Sequence, residues 1–150
     1  SAASATGFMD LTTSQVVASG NKDFGSISFQ RSSYNVTPGT TYPVVDLSGA
    51  TFWQLLPSGG AGVVTIHSFT RPSPDTNMLR VLLWSSYTST LRLIHNSSGT
   101  AGIESNGRIE SLSAGTSATI NQQINTTGPG AFVMLYNTFG NRWTLIARTA

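Results

Sequence analysis

Short apolar runs, broken by turn-forming residues roughly every 8–15 residues, recur along the whole chain. In residues 26–30, the apolar Ile27 and Phe29 alternate with polar neighbours, as in a strand with one buried face. Pro38-Gly39 predicts a type II turn, because proline fixes φ and glycine accepts the positive φ that follows. Residues 42–47 form the next predicted strand. The spacing as a whole predicts an all-β sandwich or barrel of short antiparallel strands.

Two longer apolar segments, residues 62–69 and 78–84, are predicted to be core strands buried on both faces. Only Arg80 interrupts the second run. Residues 71–75, between the two segments, contain two prolines, which remove backbone donors and exclude a helix, so an irregular surface loop is expected. Residues 85–90 separate the second segment from residues 91–94, which predicts a hairpin.

The clearest local turn signal is Asn106-Gly107, which lies between residues 101–104 and 108–112. Both residues tolerate positive φ, so the sequence predicts a tight type I′ hairpin there. A second hairpin is predicted at the C terminus, with residues 132–136 and 143–147 as strands and residues 137–141 as the turn. Residues 11–18 are the best helical candidate, but their β-branched and hydroxyl residues favour a strand or short turn.

Composition supports a single β domain with a neutral polar surface. Of 150 residues only 9% are charged, against roughly 25% in typical soluble domains. The chain has 21 serines and 20 threonines, whose short hydroxyl side chains suit strands and turns. Its 8 basic residues are scattered and form no run, which argues against nucleic acid as a partner because such binding needs clustered positive charge.

Cysteine is absent, which excludes disulfides, thiolate zinc sites and a cysteine nucleophile. Residues 1–9 lack the basic start and apolar run of a signal peptide, and no apolar run approaches the length of a membrane span. The sequence therefore predicts a soluble module without membrane insertion.

From Asp46 to the C terminus the chain resembles the C-terminal modules of bacteriophage tailspikes and tail fibres. The resemblance is carried by four groups of residues: 45–49 with Trp53 just after, 65–69, the strand Leu91-Arg92-Leu93-Ile94-His95-Asn96, and the closing residues 133–136 and 141–143. It implies a jelly-roll-like β-sandwich over residues 46–150 that assembles as a homotrimer. Residues 1–45 match no family pattern, and are expected to be N-terminal strands, a linker, a swapped strand or part of the same domain.

The resemblance also implies a location at the distal end of the fibre or tailspike of the virion, and bacterial surface polysaccharide or lipopolysaccharide as the binding partner. No catalytic residues come with it, and the chain's own residues offer few. His67 and His95 lie in predicted strands without partners at metal or acid–base spacing, so both are interpreted as structural. We expect neither metal nor cofactor.

A glycosidase would need two carboxylates close together across the cleaved bond. Glu104 and Glu110 are predicted to face each other across the Asn106-Gly107 hairpin, with Arg108 forming a cross-strand ion pair, and both are interpreted as ordinary solvated groups. The chain also lacks the Gly-x-Ser-x-Gly motif of serine hydrolases. The sequence thus predicts a module that is not an enzyme.

Glycan binding has a better physical basis, because sugars present apolar faces to aromatic rings and hydroxyl groups to polar side chains. The candidate aromatic residues are Trp53, Tyr42, Tyr87 and Phe139. Tyr87 and Phe139 lie in predicted turns among polar neighbours, so they are expected to be exposed and available to a partner. For Trp53, as for Trp84 and Trp143, the alternative is a core or interface position. Two alternative functions stay open: a structural trimerisation or folding cap without a ligand, and a stand-alone carbohydrate-binding module of an extracellular enzyme.

Overall fold

A computed structural model describes residues 28–72, 78–111 and 120–149, and this part of the chain is nearly all β. The predicted strand at residues 26–30 lies partly outside the described residues, and the segment 11–18 lies wholly outside them. The strands are β1 (Arg31–Val36), β2 (Thr41–Tyr42), β3 (Phe52–Pro57), β4 (Gly62–Ile66), β5 (Leu79–Trp84), β6 (Ser89–Ile94), β7 (Arg108–Ser111), β8 (Gln123–Thr127), β9 (Gly130–Asn137) and β10 (Arg142–Arg148).

The strands form two mixed sheets. One has six strands in the order β1-β3-β5-β9-β10-β7, and the other has four in the order β2-β4-β6-β8. From β1 to β6 the chain alternates between the sheets, so that β1, β3 and β5 are parallel neighbours in one and β2, β4 and β6 in the other. Strands β9 and β8 then pair antiparallel with β5 and β6.

The all-β prediction is confirmed, but the prediction of antiparallel sheets is wrong, because five of the eight ladders are parallel. Side chains alternate with the same period of two in both kinds of sheet, so the apolar pattern identifies a strand without giving its direction. The hairpin predicted across residues 85–90 is also wrong, since β5 and β6 lie in different sheets.

Both sheets contribute to a single hydrophobic core. Trp84, Trp143, Tyr136, Phe69 and Phe132 are its largest fully buried side chains. The Trp143 ring packs edge-on against Phe69 and Tyr136, with centroid distances of 6.4 and 5.3 Å. These contacts join β10 and β9 of the larger sheet to the segment after β4 of the smaller one, which fixes the two sheets face to face.

The three tryptophans lie in this core, which confirms their structural interpretation. Trp53, Trp84 and Trp143 are 7%, 2% and 1% exposed. Each indole Nε1 donates to a backbone carbonyl, at 3.0 Å to Ala50, 3.3 Å to Ser89 and 3.2 Å to Thr70. The rings are therefore buried without leaving their N–H groups unsatisfied.

Strand β5 is buried on one face only, which corrects the prediction of burial on both. Leu82 and Trp84 point into the core, whereas Leu79 and Leu83 are 39% and 38% exposed. Arg80, on the inward face, is only 8% exposed. Strand alternation therefore places the charged residue inside and the two leucines outside.

The predicted hairpin at Asn106-Gly107 does not form. Residues Ser105–Gly107 make one turn of 3-10 helix, and the Glu104 side chain accepts a hydrogen bond from Asn106 N at 3.0 Å. Glycine is required at position 107 because the backbone of Phe69 lies close to it, and an added Cβ would overlap the Phe69 oxygen. Phe69 N donates to Gly107 O at 2.9 Å, so the backbones of these two residues are in direct contact.

Two other turn predictions are confirmed. Gly39 has φ of 86°, the value that a type II turn requires at this position. Strands β9 and β10 form the predicted C-terminal hairpin, with a register shift between Leu145 and Ala147. The described part of the first 45 residues belongs to the same two sheets, because β1 pairs with β3, β2 pairs with β4, and Val45 is fully buried.

Candidate functional site

Two of the four candidate glycan-binding aromatics are exposed on loops. Tyr87, between β5 and β6, is 86% exposed, and Phe139, in the turn between β9 and β10, is 96% exposed. Large aromatic rings with so little contact to the rest of the molecule are available to a partner.

Tyr87 and Phe139 lie at opposite ends of the six-stranded sheet. Tyr87 follows the end of β5 where Trp84 pairs with Gly130, whereas Phe139 follows the end of β9 beyond the Leu79–Leu135 pair. The six residues of β5 separate the two ends by roughly 17 Å, given the rise of a strand. A single sugar ring therefore cannot contact both aromatic side chains.

Neither Trp53 nor Tyr42 presents a fully exposed aromatic ring to a sugar. The buried Trp53 ring has no open face, so this candidate is corrected to a core residue. Tyr42 is half-buried, its hydroxyl accepts from Thr37 N at 2.8 Å, and its ring packs edge-on to Tyr34 at 6.3 Å. Tyr42 therefore fixes the turn between β1 and β2.

On the middle strands of the six-stranded sheet, β3, β5 and β9, the outer face is mostly apolar. Cross-strand registers place Phe52, Val81 and Val133 in one row across β3, β5 and β9. The exposed Leu56, Leu79 and Leu83 lie on the same face. A groove of about 560 Å³ runs along its β1 side and is lined by Phe29, Arg31, Ser32, Ser33, Phe52, Gln54, Leu56 and Leu83. We call this surface the apolar face.

The outer face of the four-stranded sheet is polar. The registers align Thr41, Thr65, Arg92 and Asn125 in one row across all four strands. Arg92 Nε donates to Asn125 Oδ1 at 2.9 Å, which holds the guanidinium flat along the sheet. We call this surface the polar face. Sequence analysis missed it, because the row appears only when parallel strands distant in sequence are set in register.

The two histidines are hydrogen bonded within the structure, in agreement with their structural interpretation. His67 Nδ1 and Ser97 Oγ are 2.6 Å apart and hydrogen bonded, and Ser111 N donates to His95 Nδ1 at 3.0 Å. Ser97 is fully buried, so its hydroxyl cannot reach a substrate in this arrangement. Desolvation by burial lowers the pKa of His67 below its ordinary value.

The two glutamates do not face each other, because the hairpin that would have paired them is replaced by the 3-10 turn. Glu104 caps that turn, whereas Glu110 lies in β7. The cross-strand ion pair predicted for Arg108 has no hairpin across which to form, and Arg108 Nε is buried without a hydrogen-bond partner. Across residues 28–72, 78–111 and 120–149, no group of three or more His, Asp or Glu side chains is placed to hold a metal ion.

Neither known families nor curated proteins identify this chain. No protein-family model matches it, and no curated protein matches it. In the part of the chain that the structure describes, no helix has the length and apolar character needed to cross a membrane. The candidate site is therefore defined by surface chemistry: the polar face, the apolar face and the two exposed loop aromatics.

Proposed function

We propose that this chain is a C-terminal module of a bacteriophage tail fibre or tailspike, located at the distal end of the fibre. In this role it binds bacterial surface polysaccharide or lipopolysaccharide without cleaving it, and assembles as a homotrimer. The observation that carries the proposal is the contrast between the two outer faces of the sandwich, one apolar and one polar. The sequence resemblance from Asp46 onward is the reason for proposing a phage tail fibre or tailspike.

The apolar face supports self-assembly. Soluble monomers rarely expose large contiguous apolar patches, and such patches mark interaction surfaces. Here Leu56, Leu79 and Leu83 are each more than a third exposed on a face that also carries Phe52 and Val81. Three copies that pack these faces around a common axis would bury them.

Such a module has two sheets around one core, as a jelly roll does. Its parallel ladders differ from the strand connectivity of a jelly roll.

The polar face supports recognition of a glycan. Its hydroxyl, amide and guanidinium groups are neutral or positive donors and acceptors, the groups that hydrogen bond to sugar hydroxyls. Thr41, Thr65, Arg92 and Asn125 offer them in one extended row, which suits a linear polymer.

Glycan binding is tested on an array of bacterial polysaccharides and lipopolysaccharides. The wild-type protein is expected to bind at least one of them. The double variant Asn125→Ala/Thr65→Ala is expected to bind about tenfold more weakly, because two hydrogen bonds are lost. Tyr87→Ala and Phe139→Ala are measured separately, since at most one of these rings can contact a given sugar ring. An array without any signal would refute the recognition role.

Assembly is tested by light scattering on the purified protein. The wild type is expected to have the mass of a trimer at micromolar concentration. Leu83→Lys is expected to have the mass of a monomer, because burying a charge in the apolar interface costs free energy. Asn125→Lys, on the polar face, is the matched control and should leave the trimer intact. A stable wild-type monomer would contradict the assembly role.

The purely structural alternative, a trimerisation or folding cap without a ligand, is favoured by the exposed leucines of the apolar face, which assembly alone would bury. Trimers that bind no glycan would support the structural cap. Monomers that bind glycan would instead indicate a stand-alone carbohydrate-binding module.

A further inference from the structure

Arg92 is the only charged residue in the four strands of the smaller sheet. Strands β2, β4, β6 and β8 otherwise contain apolar, hydroxyl and amide residues. Leu91 and Leu93 on either side of Arg92 are buried in the core, so Arg92 projects to the outer face. The strands of the polar face therefore supply one positive charge and no negative charge.

The carboxylates that the structure describes lie in other elements. Asp46 is in the connection between β2 and β3, where it accepts a hydrogen bond from Ser48 N. Glu104 caps the 3-10 turn, and Glu110 lies in β7 of the larger sheet. Within residues 28–72, 78–111 and 120–149 these are all the acidic residues. No strand of the polar face thus provides a carboxylate to pair with Arg92.

The Arg92 guanidinium is held in place through one nitrogen and keeps its other donors for a ligand. Its Nε donates to Asn125 Oδ1 at 2.9 Å, and among the described residues this is the one hydrogen bond of the side chain. A guanidinium has five N–H donors, so the four on Nη1 and Nη2 remain. These two nitrogens form the fork that binds both oxygens of a carboxylate.

Uncharged hydrogen-bonding side chains surround Arg92 on the polar face. Thr65 and Asn125 flank it in one row, and Thr90 lies beside Thr127 in the next row. Neighbours within a row are about 4.8 Å apart, and the rows are about 6.6 Å apart. One charge among several neutral donors and acceptors fits a chain of sugars in which neutral units separate the acidic ones.

A sheet face is open, so it contacts a single sugar ring on one side only. Sites that bind one small molecule are usually concave and enclose most of its surface. On the polar face, affinity therefore depends on several sugar units that contact the face together. The ligand that fits this surface is a polymer and not a monosaccharide.

We propose that the polar face binds polysaccharides that contain uronic acids, with the Arg92 fork paired to a sugar carboxylate. The planar fork matches the planar carboxylate and balances its single charge, which a lysine ammonium would do without the paired geometry. Thr65, Thr90 and Asn125 hydrogen bond to neighbouring neutral sugars. The inference rests on the proposed glycan recognition and names the class of glycan.

The test compares uronic-acid polysaccharides on the array, polygalacturonic acid and hyaluronan among them, in native form and after carboxyl reduction. Reduction turns each carboxylate into a neutral hydroxymethyl group and keeps the polymer backbone. The wild-type chain is expected to bind at least one native polymer about tenfold more tightly than its reduced form, as for one charged hydrogen-bonded pair. Dextran is the neutral polymer, and a teichoic acid offers phosphate in place of carboxylate.

Arg92→Gln removes the charge from a side chain on the outer face. This variant is expected to bind native and reduced polymers equally, at the level at which the wild type binds the reduced form. Arg148→Gln, an exposed arginine on β10 of the larger sheet, is the matched control and should keep the wild-type preference. A full preference for the native polymer in Arg92→Gln would overturn the assignment.

Salt dependence of the wild type is a second measurement that needs no variant. Raising the ionic strength should weaken binding of the native polymer and leave binding of the reduced polymer unchanged, because only the first involves a charge pair. Equal salt dependence for the two forms would contradict the charge pair.

The outcomes separate this inference from the proposed recognition role. Binding of neutral polysaccharides only, or equal binding of native and reduced polymers, would refute the uronic-acid class and leave glycan recognition standing. Tightest binding to the teichoic acid would refute the carboxylate in favour of phosphate. An array without any signal would refute glycan recognition itself.

Discussion

At the residue scale, Gly107 and Arg80 owe their importance to contacts that their sequence neighbours do not reveal. Gly107 looks like half of a hairpin turn, yet its missing side chain is what allows the backbone of Phe69 to approach. In the sequence Arg80 only interrupts an apolar run, yet its side chain is buried and lines a pocket. In both cases a partner about 35 residues away in sequence determines the role.

We predict that Gly107→Ala destabilises the fold by about 1–3 kcal/mol or more, the cost typical of overpacking. The added Cβ would overlap the Phe69 oxygen, so the contact between the 3-10 turn and the segment after β4 must open. Gly140→Ala is the matched control, since its Cβ would make only ordinary contacts at 3.7 and 3.8 Å. Urea denaturation measures both variants, and equal stabilities would contradict the close approach.

His67 predicts a pH dependence of stability. Desolvation lowers its pKa in the folded state, so folding disfavours the protonated ring. The stability that the neutral His67 ring contributes is fully present above the pKa of the unfolded state, about 6.5. It is lost as the pH falls through the lower pKa of the folded state. His67→Gln should therefore lose less stability than the wild type between about pH 6.5 and 5. Parallel curves of unfolding free energy against pH would contradict the assignment.

At the scale of elements, the strands owe their inner and outer faces to packing between the sheets. In β5 the run from Leu79 to Trp84 is apolar at all positions but one, so periodicity alone cannot decide which residues point inward. The structure places Leu82 inside and Leu83 outside. The packing of Leu82 and Trp84 against the four-stranded sheet fixes this register, because a slip by one residue would reverse every side chain of the strand.

We predict that Leu82→Ala costs about 2–5 kcal/mol of stability, the range for a leucine removed from a core. Leu83→Ala should cost at least about 1 kcal/mol less, because much of its side chain is already exposed. Urea denaturation at a protein concentration at which the chain is monomeric compares the two variants, so that burial between subunits does not contribute. Equal losses would mean that β5 is buried on both faces, as the sequence pattern alone suggested.

At the scale of the whole molecule, the two sheets share one core and neither can be stable alone. The alternation of β1 to β6 between the sheets means that each crossing connection joins both layers. The three buried tryptophans are spread over β3, β5 and β10, all in the larger sheet, and Phe69 and Ser89 link them to the smaller one.

Unfolding is therefore expected to be a single cooperative transition. Tryptophan fluorescence reports the core, and far-ultraviolet circular dichroism reports the strands of both sheets, so the two signals should coincide along a urea titration. Separate midpoints would show that one sheet unfolds before the other and would contradict the shared core.

The sequence by itself determined the all-β class, the C-terminal hairpin, the type II turn at Gly39 and the exposure of Tyr87 and Phe139. These follow from local signals: a side-chain period of two, residues that accept a particular φ, and aromatic residues among polar neighbours in turns. Local signals suffice wherever the structure depends on residues adjacent in the chain.

The tertiary structure alone decided strand direction, the inward orientation of Arg80, the loss of the Asn106-Gly107 hairpin and the alignment of the polar face. Each depends on which distant strands become neighbours, such as the parallel ladders that set Thr41, Thr65 and Arg92 side by side. The physical reason is that burying one shared core in two sheets outweighs a local turn preference, and that register is fixed by packing across the sheets.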